Sequence, residues 1–191
     1  IRQIYKIGFG PSSSHTMGPR KAARIFLGKT PTAASRRVTL YGSLAATGRG
    51  HLTDRAILEE LESSAPCEIV WKPDTFLPFH PNGMTFEAFD INGNATESIT
   101  WYSIGGGDIV REGEDRAPSE SIYDMTTIKD ILAWCERTGL SYWEYVQNCE
   151  GPAIWDYLAE VWKVMREAVE RGIEEEGVCL LYTSDAADDL T

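Results

Sequence analysis

The stretch from 84 to 104 limits what this chain can fold into more than any other. Met84–Asp90 and Thr96–Ile104 each alternate apolar and polar residues, and Asn92-Gly93 lies between them. Period-two alternation sets one face of each segment on a core. Asn-Gly supplies the positive φ that a tight hairpin demands, so the two segments are expected to pair antiparallel. Upstream, Arg36–Gly42 alternates well enough for a strand, and Glu68–Trp71 reads as a short one. Helical patterns flank them. Residues 16–28 carry Pro19 near the front and Ala22, Ala23, Ile25, Phe26 and Leu27 behind it. Thr16 or Ser14 is the expected N-cap there, and Gly28 the closing residue. Thr53-Asp54 opens a second helix, with Ala56, Ile57, Leu58 and Leu61 on its apolar side. The expected class is α+β, a small sheet with an antiparallel hairpin packed by helices.

After the acidic, polar loop 111–120 the pattern becomes a helical segment. Ile128–Arg137 and Tyr142–Cys149 read as two short helices. Pro152 opens a longer one through Arg171, where Ile154, Leu158, Val161, Trp162, Met165 and Val169 recur at helical spacing. Trp155 and Trp162 read as packing residues, and the stripe offers a surface for a second copy, a homodimer. The tail Cys179–Asp188 looks like the translation of a sequencing adapter, so residues 179–191 are assigned no function.

A net charge of −11 argues against nucleic acid and against an anionic membrane surface. No apolar run approaches the about 18 residues a membrane span requires, and no signal-peptide pattern is visible, so a cytoplasmic protein is expected. Cys67, Cys135, Cys149 and Cys179 are widely spaced and form no C-x-x-C pair. Free thiols are the expectation, with no metal site and no iron–sulfur cluster held wholly by this chain.

Chemistry concentrates in Gly8-Phe-Gly-Pro-Ser-Ser-Ser-His-Thr-Met-Gly-Pro19. Buried, these hydroxyls would need partners, and the glycines and prolines would break a regular element. A ligand site has use for them. Hydroxyls and backbone N–H groups near a helix start can hold a carboxylate or phosphate, and an imidazole can move a proton near neutral pH. All three histidines, His15, His51 and His80, fall in loops punctuated by glycine or proline. Ser103-Ile-Gly-Gly-Gly-Asp108 marks either a close backbone approach or a bulge or bend in a sheet. No G-x-S-x-G elbow and no P-loop lysine accompany the serines, which argues against a hydrolase or a nucleotide site.

In order along the chain, five motifs resemble those of the iron–sulfur type of L-serine dehydratase (L-serine ammonia-lyase) in its single-chain form. They are Gly8–Pro19, then Tyr41–Ala45 with Thr47–Asp54, then His80–Met84, then Tyr102–Val110, and last Val161-Trp162 with Arg171–Val178. The resemblance implies that residues 1–150 form the family's beta domain and 151–178 the first helix of its alpha, catalytic domain. It implies conversion of L-serine to pyruvate and ammonia, a step of amino-acid catabolism, with a 4Fe-4S cluster whose ligands are not in this chain. The implied base is His51, with His15 second. Ser13, Ser14 and Thr16 would hold the substrate carboxylate or orient the imidazoles, while His80, Asn82 and Gly83 line the site. Asp54 either orients a histidine or caps its helix. The missing alpha domain is the expected partner, and this piece alone is expected to be inactive. A different class, an amino-acid-sensing regulatory domain without catalysis, has less use for paired imidazoles.

Overall fold

The computed structural model describes residues 1–114 and 121–177. The tail 179–191, Cys179 included, and part of the loop expected over 111–120 lie outside the described residues. The described chain divides into two compact units, one from Gly8 to residue 114 and one that joins Ile1–Ile7 to 121–176. Contacts therefore part the chain well before residue 150, where the sequence-based assignment sets its boundary. The two divisions describe different things, mutual packing and family kinship.

The first unit is a five-stranded mixed sheet with helices, an α+β arrangement. Its strands are β1 (Ser35–Tyr41), β2 (Cys67–Lys72), β3 (Gly83–Phe89), β4 (Ala95–Gly105) and β5 (Asp108–Arg111), in the order β2-β1-β3-β4-β5. The pair β1 and β2 is parallel; every other pair is antiparallel. Register carries the alternation of the sequence across the sheet. Val38 stands opposite Phe86 and Phe86 opposite Ile99; Leu40 stands opposite Met84 and Met84 opposite Trp101. This row faces α1 (Gly18–Lys29) and α3 (Thr53–Leu61), where Ala22, Ala23, Phe26, Ile57 and Leu61 complete one core. Phe86 and Trp101 meet edge-on at 5.4 Å, and Phe26 lies 5.5 Å from Phe86. Each such side chain taken out of water stabilises by roughly 1.5–3 kcal/mol.

Arg36 is the exception in that row. It is 2% exposed, and its guanidinium donates to Ser64 Oγ at 2.8 Å, to the Thr30 carbonyl and, at 3.5 Å, to the Leu61 carbonyl. Thr30 ends α1 and Leu61 ends α3, so one cation answers the carbonyl ends of two helices. Burial lowers its pKa from the usual arginine value. Along their surfaces the same helices are joined by Arg20 and Arg24 to Glu60, at 2.7 and 2.9 Å.

Several local expectations change. Neither Ser14 nor Thr16 caps α1 with its side chain; Ser13–Met17 is a π-helical turn that runs directly into the helix, and Thr30, not Gly28, closes it. A six-residue helix, α2 (Gly42–Thr47), follows β1 where none was expected. Thr53 is already the first residue of α3, behind Leu52 in left-handed backbone, φ 61°. The triple glycine is a turn with a register irregularity: Gly105, Gly106 and Gly107 all take positive φ and reverse β4 into β5.

The second unit is helical, with α4 (Ile128–Thr138), α5 (Tyr142–Glu150) and α6 (Ile154–Glu174). Thr127 caps α4 by accepting the Asp130 N–H, and Ser141 with Glu144 forms a capping box on α5. Tyr145, Ile154 and Val161 are its buried residues among those described. Trp155 packs edge-on against Trp143 at 5.9 Å, whereas Trp162, expected as a packing residue, is 63% exposed in this chain.

Candidate active site

At one end of the sheet, where β1 and β4 finish and β3 begins, four connections converge: the π-helical turn, α2 with the loop to α3, the segment before β3, and the β4–β5 turn. Ligand sites of sheets with helices commonly lie at the ends of strands. The first three contribute polar side chains, and Ser103, near the end of β4, adds a fourth source.

The π-helical turn presents His15, fully buried. Thr16, also buried, sends its hydroxyl to the Ser12 carbonyl, which fastens the turn. The Ser13 carbonyl accepts the Gly18 N–H, leaving the Ser13 side chain half-buried. Ser14 Oγ lies 3.2 Å from His15 Nδ1, and Ser12 Oγ lies 3.4 Å from the same nitrogen. π-turns recur at functional sites because the extra residue re-aims a side chain.

From the loop after α2 comes His51, 1% exposed. Its ring stacks on that of His15, with centroids 4.3 Å apart and planes inclined by 26°. Thr47 touches both. Its hydroxyl oxygen is 2.9 Å from His15 Nε2, and its carbonyl oxygen is 3.0 Å from His51 Nδ1. Asp54 lies in the first turn of α3, where its carboxylate accepts the Arg55 N–H.

Before β3, His80 is half-buried, and its Nδ1 accepts the Asn82 N–H at 3.1 Å. Burial lowers its pKa, which favours the neutral ring. Asn82 is 9% exposed, and its side-chain carbonyl has no hydrogen-bond partner among the described residues. Gly83 pairs with Tyr102 across the sheet. The segment is tied to α2 by the Ser43 N–H on the Pro81 carbonyl, and to β4 by the Ser103 N–H on the Asn82 carbonyl. Ser103 was passed over in the sequence for the glycines beside it. It is fully buried, its hydroxyl has no partner among the described residues, and a Cβ on Gly18 would lie 2.4 Å from it. Glycine is what lets the start of α1 approach β4 this closely.

The structure thus brings His15, His51, Ser14 and Thr16 into one cluster and ties the segment bearing His80, Asn82 and Gly83 to it through backbone bonds. The sequence reading quotes Thr47 and Ser103 inside its motifs but assigns neither a role in the site.

Comparison with known proteins bears on the family. The profile of the family described as serine dehydratase beta chain matches residues 1–70 and 64–114. The chain belongs to this family. An L-serine dehydratase of Streptomyces coelicolor is 35% identical over an alignment 229 positions long, covering 93% of this chain and 50% of that protein. L-serine dehydratase 1 of Escherichia coli is 33% identical over 225, covering 92% and 49%. That of Helicobacter pylori is 30% identical over 190, covering 77% and 42%. The chain therefore spans about half the length of the curated relatives it matches.

An iron–sulfur cluster needs several thiolates brought to one point. Cys67 lies on β2, Cys135 in α4 and Cys149 in α5, and burial pushes the Cys67 thiol up to about 12. Among the described residues no group of three or more histidine, cysteine or acidic side chains is placed to hold a metal ion. The cysteines described here do not fit a cluster. No helix among the described residues is long and apolar enough to cross a membrane.

Proposed function

We propose that this chain is the substrate-binding and proton-abstracting part of an L-serine ammonia-lyase, completed by sequence corresponding to the other half of its relatives. The observation that carries the reading is the stacked, buried His15–His51 pair, set among hydroxyls at the end of a rigid sheet. A buried imidazole held by a carbonyl and stacked on a second ring has one orientation, which is what proton transfer from carbon requires.

In this reading His51 takes the α-proton of L-serine at a ring nitrogen. Ser13 and Ser14 hold the carboxylate, and Thr16 keeps the turn that presents them. His80, Asn82 and Gly83 line the opposite side, with the Asn82 side-chain carbonyl free to accept the substrate ammonium. Loss of the β-hydroxyl with a proton, as water, leaves aminoacrylate. Tautomerisation and uptake of water then give pyruvate and ammonia. The 4Fe-4S cluster implied by the resemblance belongs to the completing domain, as do its ligands, and the enzyme works in the cytoplasm. The 191-residue chain alone neither binds the cluster nor turns over serine.

The test is pyruvate release from L-serine by the protein carrying that C-terminal half, purified without oxygen, with and without His51→Ala. The expected result is serine-dependent pyruvate in the parent and a loss of at least about 10²-fold in the variant, the scale of a removed general base. Full activity in His51→Ala would move the base elsewhere. Tight serine binding without pyruvate would refute the lyase.

A further inference from the structure

Thr47 is the last residue of α2 and makes three polar contacts that together determine where protons sit. Its hydroxyl oxygen is 3.0 Å from the Ser43 carbonyl oxygen. The hydroxyl donates its single proton to that carbonyl, which can only accept, as threonine often bonds back one turn in a helix. Towards His15 Nε2, 2.9 Å away, the same oxygen is then left as an acceptor. With the Thr47 proton on the Ser43 carbonyl, His15 carries its proton on Nε2, and in its neutral form the lone pair is on Nδ1, facing the Ser14 and Ser12 hydroxyls. The carbonyl of Thr47 makes the opposite demand on the other ring. It lies 3.0 Å from His51 Nδ1 and also accepts the His51 backbone N–H at 3.2 Å. His51 therefore carries its proton on Nδ1 and, when neutral, its lone pair on Nε2.

We propose that Thr47 is a positioning residue that gives the two stacked imidazoles opposite tautomers, one through its hydroxyl and the other through its carbonyl. The consequence for chemistry rests on the lyase reading: His51 Nε2 is the basic atom, and His15 is the ring whose lone pair is engaged by serine hydroxyls. The tautomers themselves stand independently of that reading.

The experiment is nitrogen-15 NMR of the full 191-residue chain with labelled histidine, three rings in all, assigned with His→Gln variants and read at a pH where the rings are neutral. The expected pattern is Nε2–H for His15 and Nδ1–H for His51. His80 serves as an internal reference with Nε2–H, because its Nδ1 accepts a backbone N–H. Thr47→Val removes the hydroxyl and keeps the carbonyl, so His15 loses its preference for Nε2–H while His51 and His80 keep theirs. Thr47→Ser restores the parent pattern. A parent chain in which His15 is Nδ1–H or His51 is Nε2–H overturns the proposal, and this holds even where Thr47→Val fails to fold. So does a folded Thr47→Val chain with the His15 tautomer unchanged. No turnover is measured, so correct tautomers in a protein that never yields pyruvate would sink the lyase reading and leave the role of Thr47 standing.

Discussion

The two compact units use apolar residues in opposite ways. In the sheet unit Phe26, Val38, Leu40, Leu44, Ile57, Met84 and Phe86 are all fully buried. In the helical unit α4 buries no residue and α6 buries two, while Trp162, Val169 and Ile173 are 63%, 61% and 80% exposed. A sheet residue is delivered to its neighbours by register, so strand pattern and pairing together specify the face and the residues beside it. A helical stripe specifies only a face. The unit that closes its own core is also the one that holds two rings 4.3 Å apart. Positioning on that scale needs a close-packed frame, and the polar cluster sits where such a frame exists.

The largest effect expected from this contrast is on stability. Phe86→Ala should cost about 3–5 kcal/mol, whereas Trp162→Ala in the 191-residue chain should stay within about 0.5 kcal/mol, both read by chemical denaturation. Comparable losses for the two would break the contrast and mean that the α6 stripe is covered in solution. Next comes Gly18→Ala, which drives a methyl to within 2.4 Å of the Ser103 hydroxyl and should cost roughly 1–3 kcal/mol. Adding Ser103→Gly should recover part of that loss; strict additivity would show that the two residues do not meet. The smallest effect concerns His80. Its pKa lies below the ordinary 6.5 because of burial, so the unfolded chain takes the proton first as the solution is acidified. Stability contributed by the neutral ring is thus present above pH 6.5 and lost as pH falls through the native value. Denaturation midpoints of the parent and His80→Gln should run parallel at neutral pH and diverge in mild acid, with the parent falling faster. Parallel lines throughout would place His80 in water.

Much of the sheet was legible because its signals are local. Asn92-Gly93 and the alternation on either side define β3 and β4 to within a residue or two. β5 was missed because Asp108–Arg111 is too short to show a period, and α2 because six residues opening on glycine resemble a turn. The start of α1 was misread because the i→i+5 bonds of a π-turn leave no mark in composition. In the site, His15 and His51 stood out as rare residues in loops, but their stacking depends on two connections meeting in space. Thr47 lies in a motif, but nothing in the sequence marks its role. Its importance comes from which atoms lie within 3 Å of it, and a threonine ending a short helix looks like any other. Buried Arg36 was equally silent, since arginine in a strand usually points to water.

Arg36 has a mechanical consequence. It grips the far ends of α1 and α3, and the near ends of those two helices are where the chain leaves for His15 and His51. Nine residues of α3 make an arm about 13 Å long at 1.5 Å per residue, so a swing of about 5° at the gripped end displaces the tip by about 1 Å. That is enough to unstack two rings. Both arms are clamped to one guanidinium, which stays charged at any pH a cell meets, and such a shared clamp opposes their swinging apart. One hold on the spacing of the two rings thus lies at the opposite end of the helices that follow them.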